Sequence, residues 1–201
     1  MQEFEINAEN SFIGAWFMDD IDLCDELIDW FEQQDDTRPG RITVNEEYRI
    51  DESWKKSLDF TVKLPESFSD PIIERYNIEL QNTTDQYIKK FPMSAETEKW
   101  NLDDFNIQKY EPGGGFYNWH SERTSSGYVA NRHLAFMTYL NDITDAGETE
   151  FWHQKIKIKP QKGLTLIWPA DWTHFHRGVP APTETKYITT GWFSFLEEDR
   201  V

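Results

Sequence analysis

The chain has 201 residues, with 37 acidic against 20 basic side chains and a formal net charge of −17. Aromatics make up 15% of it and nine residues are Trp, so the chain has the apolar bulk for a real core and a disordered class is excluded; one domain over 1–201 is expected. The charge argues against a sequence-independent grip on nucleic acid, which needs a surplus of Lys and Arg at the phosphates. A lone cysteine, Cys24, excludes an internal disulfide and a cysteine-built metal site.

At the amino end, Met1-Gln2-Glu3-Phe4-Glu5 is acidic, and the apolar stretch 12–18 has no basic region before it. Neither reads as a signal peptide, and no run is long enough to span a bilayer, so a cytoplasmic protein is expected. Asp19 or Asp20 can cap a first helix running to about residue 33. In it Cys24, Leu27, Ile28 and Phe31 form one apolar face, and Asp25 and Glu26 lie in the first turn, where the helix dipole favours them. On that face Cys24 reads as a small core residue. A second helix starts at Asp70-Pro71, with Asp70 as cap and Pro71 at the first position. Ile73, Tyr76, Leu80, Tyr87 and Ile88 mark its buried side, and Phe91-Pro92 ends it. Residues 1–104 thus read as a mostly helical support region.

From 105 onward the pattern turns to short strands bounded by Gly, Pro, Asn and Asp: 105–110, 117–122, 134–140, 149–152, 154–159, 164–168, 174–178 and 187–195. Short strands after helices predict a mainly β fold with added helices, a jelly roll over 105–196 with the amino-terminal helices packed on it. Ile156 and Ile158 alternate with Lys155, Lys157 and Lys159, as in a half-exposed strand with a solvated Lys face.

The chemistry-bearing residues lie in this second part. Trp119-His120-Ser121-Glu122 is followed by Thr173-His174-Phe175-His176-Arg177-Gly178 and, ten residues after His176, by Lys186. Two His and one carboxylate can hold Fe(II) on one face and leave the other open. On a strand, His120 and Glu122 would point to the same side. Lys186 and Thr190, four apart on a strand, would both face the barrel interior with Ile188 between them. A cation there is costly unless it meets an anion, which points to iron plus an acidic cosubstrate.

Several segments together carry a family resemblance: Tyr110-Glu111-Pro112-Gly113-Gly114-Gly115-Phe116-Tyr117, His120-Ser121-Glu122, Thr138-Tyr139-Leu140-Asn141-Asp142, Gly147-Glu148-Thr149-Glu150-Phe151, Pro160-Gln161-Lys162-Gly163, and then His176, Pro180, Lys186, Thr190 and Trp192. In order and spacing this run resembles the prolyl 4-hydroxylase branch of the Fe(II)/2-oxoglutarate dioxygenases, above all its short bacterial and phage members. The resemblance implies a double-stranded β-helix (jelly roll) with iron near its mouth, and His120, Glu122 and His176 as catalytic metal ligands. It implies that Lys186 pairs with the distal carboxylate of 2-oxoglutarate, with Thr190, Tyr110 or Tyr139 as hydrogen-bond partners. The cofactors implied are Fe(II), 2-oxoglutarate as cosubstrate and O2, with ascorbate in support. The reaction implied is hydroxylation of a C–H bond, of a prolyl or other amino-acid residue, with release of succinate and CO2.

Two positions depart from the family pattern: Glu122 stands where Asp is usual, and Ala146 where the first Gly of Gly-Gly-Glu-Thr is usual. Glu122 keeps open a second class, a β-helix binding module without iron chemistry. His174 competes with His176, whose spacing to Lys186 favours it, and would then stand behind the metal or against substrate. One or two of Tyr110, Tyr117 and Tyr139 read as packing residues only, His133 and His153 as structural or exposed, and Arg177 as a solvated neighbour or an entry residue. The loop 123–131, directly after the first ligands, is either a plain connection or a lid.

Overall fold

The computed structural model describes residues 1–196 except 9, 45, 46, 98 and 126. Two helices, α1 (Leu23–Glu32) and α2 (Pro71–Lys90), pack on an antiparallel sheet. The strands that build the β-layers are β1 (Gly14–Phe17), β2 (Leu58–Val62), β3 (Phe105–Tyr110), β4 (Arg132–Tyr139), β5 (Thr149–Phe151), β6 (Ile156–Ile158), β7 (Leu164–Pro169), β8 (His176–Gly178) and β9 (Lys186–Phe195). The large sheet runs β1-β7-β4-β9-β3-β2 and ends on the short strand Arg38–Pro39, while β6-β5-β8 form a second, smaller sheet. This is the expected mainly β, jelly-roll architecture with helices on one side. The amino-terminal region, expected to be mostly helical, also contributes β1, β2 and shorter strands, because edge positions of the large sheet are filled from it. No helix among the described residues is long and apolar enough to cross a membrane.

Period-two alternation sorts the central strands onto two cores. On β4, Leu134 and Phe136 join Tyr76, Leu80 and Tyr87 of α2 in the layer between helices and sheet. Ala135, Met137 and Tyr139 turn the other way, toward Phe151, Ile158, Leu166 and Trp168 between the two sheets. On β9 the same rule sends Phe193 to the helices and Ile188 and Trp192 to the interior between the sheets. Gly191 marks a close approach on the helix side: a Cβ there would lie 2.6 Å from Phe105 Cβ and 2.7 Å from the Phe136 ring.

The second helix begins as its sequence predicts. Asp70 Oδ1 accepts from the Ile72 N–H at 2.9 Å, and Oδ2 accepts from the Trp30 indole at 2.8 Å, so one cap joins both helices. The first helix differs. It starts at Leu23 with Asp22 at the cap position and no side-chain cap. Asp19 and Asp20 are engaged elsewhere, with the amino terminus and with Arg75 respectively. Cys24 is buried as expected, and burial pushes its thiol up to about 12, which keeps it protonated.

The expected strand 117–122 does not form. Only Gly115–Phe116 pairs, with Lys55–Lys56, and His120 makes an isolated bridge to His176. The N–H groups of Glu122 and Arg123 both donate to Ala170 O, at 3.1 and 2.9 Å, and this shared acceptor is incompatible with a regular ladder. The segment 174–178 is likewise shortened, because Trp172–His174 is a 3-10 turn.

Candidate functional site

The isolated bridge is what assembles the site. His120 N–H donates to His176 O at 3.0 Å and His176 N–H to His120 O at 2.9 Å, which locks the two backbones side by side. His120, Glu122 and His176 then offer ligand atoms that all lie within 4.8 Å of one another. Glu122 Oε1 is 3.1 Å from His176 Nε2 and 3.6 Å from His120 Nε2. The expected convergence is therefore reached, although from a bent segment rather than from one face of a strand.

Both imidazoles are oriented by main-chain carbonyls. His120 Nδ1 lies 2.9 Å from Asn118 O, and His176 Nδ1 lies 2.9 Å from His174 O. A carbonyl only accepts, so each Nδ1 carries the proton and each Nε2 presents a lone pair to the centre. Phe116 stacks flat on His120, with centroids 3.7 Å apart, and Trp168 meets His176 edge-on at 5.0 Å. Burial and the neighbouring His176 push the His120 imidazole below its ordinary value, toward the neutral form that ligates. Burial alone would raise the Glu122 carboxyl, but the two His rings outweigh it and hold the group well below the usual carboxylate range. Two imidazoles beside a carboxylate are the donor set that an Fe(II) ion takes, with the opposite face open.

Glu122 Oε2 points away from the two rings. It accepts from the Trp192 indole N–H at 2.7 Å and faces Arg132 Nη1 at 3.4 Å; the same Arg132 nitrogen donates to Glu122 O at 2.9 Å.

A cavity of about 1140 Å³ runs past the triad. Lys186, Tyr110, Ile188, Thr190, Met137 and Thr149 are among its walls. Lys186 is 4% exposed, and its Nζ donates to Gly147 O at 2.9 Å and Val179 O at 3.4 Å, and lies 5.2 Å from the centre of the Tyr110 ring. Burial pushes its ammonium down to about 8, while Glu148 pulls the other way. Among the described residues, the hydrogen-bond partners of this buried cation are neutral carbonyls, so it has the capacity to take up an anion. Gly147 carries φ +80° and Ala146 +61°, so the altered Gly-Gly turn keeps its left-handed shape and aims the Gly147 carbonyl at Lys186. Two further donors on cavity-lining side chains, Trp168 Nε1 and Arg132 Nε, are buried and have no acceptor among the described residues.

The remaining predicted residues divide. Thr190 lines the cavity, and its hydroxyl donates to Phe136 O at 3.0 Å. Tyr110 also lines it, with its hydroxyl on Gln108 Oε1 at 2.7 Å. Tyr139 is not brought there: its hydroxyl is held by Thr149 and Ile158 O at 2.7 and 3.1 Å in the core between the sheets. His174 turns away, with Nε2 2.8 Å from Ser11 O, and serves the triad through its carbonyl alone. Arg177 pairs with Glu150 at 2.6 Å and lies over Trp119; His153 is exposed, and His133 meets Ser94 O. In the 123–131 loop, whose residue 126 lies outside the described residues, Arg123 forks onto Asp171 and Val129 is buried. Sequence reasoning missed Arg132 as a partner of Glu122. Its linear signal is a basic residue opening a strand that is mostly apolar from Leu134 on.

A His-carboxylate-His face and a buried Lys inside a jelly roll are the donors and scaffold that a non-haem, metal-dependent oxygenase requires. Comparison with known families makes this specific: residues 105–194 match the 2OG-Fe(II) oxygenase superfamily. Members of that superfamily use Fe(II), 2-oxoglutarate and O2, and the matched segment of this chain carries His120, Glu122, His176 and Lys186. No curated protein matches the chain. Among solved structures it is similar to a viral collagen prolyl hydroxylase from Paramecium bursaria Chlorella virus 1, with 18% identity and TM-score 0.68 over 95% of this chain and 100% of that one. It is also similar to a Pseudomonas putida prolyl-4-hydroxylase, with 16% identity and TM-score 0.68 over 94% and 95%. A Trichoplax adhaerens prolyl hydroxylase, solved with a hypoxia inducible factor peptide fragment, gives 13% identity and TM-score 0.71 over 92% and 84%. At these identities the likeness establishes the shared fold.

Proposed function

We propose that this chain is a 2-oxoglutarate- and Fe(II)-dependent oxygenase that hydroxylates a C–H bond of an amino-acid residue in a peptide or protein, and that His120, Glu122 and His176 hold its iron. The convergence of these three donors within 4.8 Å, beside a buried lysine, is the observation that carries the reading. When bound, iron and 2-oxoglutarate supply the oxidising chemistry, in which O2 is consumed, 2-oxoglutarate becomes succinate and CO2, and one oxygen atom enters the C–H bond. The chain's own part is to bind and orient. Asn118 O and His174 O keep both Nε2 lone pairs on the metal side. Lys186 receives the distal carboxylate of 2-oxoglutarate, with Tyr110 and Thr190 on the same wall. Ile188, two residues from Lys186 on the same strand face, and Met137 beside Thr190 on the neighbouring strand line the wall there with apolar groups, so the ion pair forms away from water, where it is strongest. No side chain needs to move a proton in the hydroxylation itself.

A peptidyl substrate is supported by the cavity volume of about 1140 Å³, more than a five-carbon diacid needs, and by the prolyl hydroxylase neighbours, one of them solved with a peptide. The test is succinate formation from 2-oxoglutarate under air with Fe(II) and ascorbate, first without and then with proline-containing peptides. Iron-dependent succinate that is lost in His176→Ala, and that rises with a peptide whose mass gains one oxygen atom, is the expected result. Native protein that binds Fe(II) and 2-oxoglutarate yet oxidises no peptide overturns the substrate class. Absence of both binding events overturns the ligand assignment.

A further inference from the structure

Glutamate at position 122 poses a geometric problem that the site answers with two side chains. A glutamate carboxylate reaches about 1.5 Å, one C–C bond, beyond an aspartate's, and has one more torsion to lose on ligation. Left free, it would sample poses that miss the two imidazoles. Here its far oxygen is held. Trp192 Nε1 donates to Oε2 at 2.7 Å, and Arg132 Nη1 stands 3.4 Å from Oε2 while donating to Glu122 O at 2.9 Å. One guanidinium therefore touches both ends of the same residue. The holding groups brace each other: the Arg132 guanidinium lies 3.4 Å over the Trp192 ring and 5.4 Å from the Tyr128 ring. Both come from adjacent strands of the large sheet, where Ala135 pairs with Trp192 and Arg132 with Ser194, so their spacing is set by the sheet and not by a loop. Arg132 is 6% exposed.

We propose that Trp192 and Arg132 are positioning residues that fit this metal site to a glutamate ligand, so that aspartate at 122 binds metal more weakly here. The inference rests on the ligand assignment above. With Oε2 engaged, Oε1 is the oxygen left for the centre, and it is the one near both Nε2 atoms, at 3.1 and 3.6 Å. An aspartate cannot span the same distance: if its carboxylate stays on the metal, the Trp192 bond opens, and if it keeps Trp192, it leaves the metal. The indole has one donor and no acceptor, so the pairing works in one sense only.

The test is a double-mutant cycle read by metal affinity. Binding of Co(II), a redox-stable stand-in, is measured by calorimetry without 2-oxoglutarate for the native chain, Trp192→Phe, Glu122→Asp and the double variant. Trp192→Phe is expected to weaken binding about 10- to 100-fold, the usual range for losing an outer partner of a ligand. Glu122→Asp is expected to weaken it at least tenfold, and the double variant to bind no worse than Glu122→Asp within about threefold. Arg132→Lys, which keeps the charge but loses the fork and the flat stacking face, is expected to fall with Trp192→Phe. Thermal unfolding of the metal-free variants checks that Trp192→Phe and Arg132→Lys stay folded. Either of two results overturns the inference: Glu122→Asp binding as tightly as native, or the two losses multiplying independently in the double variant. Native protein that binds no Co(II) overturns the ligand assignment together with it, whereas tight native binding untouched by Trp192→Phe overturns the positioning role alone.

Discussion

Replacing Lys186 by Met separates the two things this lysine does. In the chain without 2-oxoglutarate, its ammonium sits 4% exposed against two carbonyls and a ring. Burial lowers it from the ordinary 10.5 to about 8. Each pH unit between those values is worth about 1.4 kcal/mol, so at pH 7 keeping this charge buried costs about 3 kcal/mol of stability. The sign follows from proton counting. Between pH 8 and 10.5 the unfolded chain binds the proton and the folded one has released it, so this contribution to stability rises with pH across that window. Lys186→Met is nearly isosteric and removes the cost, but strands two carbonyls at about 1 kcal/mol each. The variant is therefore expected to be as stable as native at pH 7, or up to about 2 kcal/mol more stable. The advantage then shifts toward native by about 2 to 3 kcal/mol as pH rises to 10.5. Binding should move the opposite way: losing one partner of a buried ion pair costs about 2 to 5 kcal/mol, roughly 30-fold to several thousand-fold in 2-oxoglutarate affinity. Urea unfolding of both proteins at several pH values, with calorimetric titration of 2-oxoglutarate, reads both quantities. Parallel pH curves, or a 2-oxoglutarate affinity within threefold of native, would refute the reasoning.

Three further substitutions probe the frame around the site. Tyr139→Phe should leave 2-oxoglutarate affinity unchanged and cost about 1 to 2 kcal/mol in urea unfolding, since its hydroxyl serves only Thr149 and Ile158 O; a tenfold loss of affinity would return Tyr139 to the site. Gly191→Ala puts a methyl 2.6 Å from Phe105 Cβ and should lower stability by about 1 to 3 kcal/mol, with a matching fall in thermal midpoint. Asp70→Ala removes the α2 cap and the Trp30 bond together, for an expected loss of about 2 kcal/mol, and a change under 0.5 kcal/mol would argue that the cap is redundant.

Much of the molecule can be read from local pattern. The 3.6-residue spacing of Cys24, Leu27 and Phe31, the Asp70-Pro71 start and the short runs after 105 are short-range signals that each element obeys on its own. The expected span 105–110 is matched residue for residue by β3, whose alternation is buried from both sides. The order His120, Glu122, His176, Lys186 was legible because each of these side chains must be a particular type for its chemistry, whatever the fold does around it. Linear pattern failed where a backbone group was claimed by something distant. The segment 117–122 reads as a strand but bends, because Ala170 O takes two of its N–H groups. Asp19 and Asp20 have the chemistry of caps but are held by the amino terminus and Arg75. Tyr139 and Tyr110 are both tyrosines in family-like motifs on the same face of the sheet, and only their positions on that face, beside Ile188 and Lys186 respectively, separate a core residue from a cavity wall. Residue type alone therefore points to the candidates for the chemistry, since ligand and cation types are local properties. Their aim comes from the fold: the bent backbone turns the Asn118 and His174 carbonyls onto the imidazoles, and strand pairing brings Trp192 and Arg132 beside Glu122, a relation that no spacing along the chain encodes.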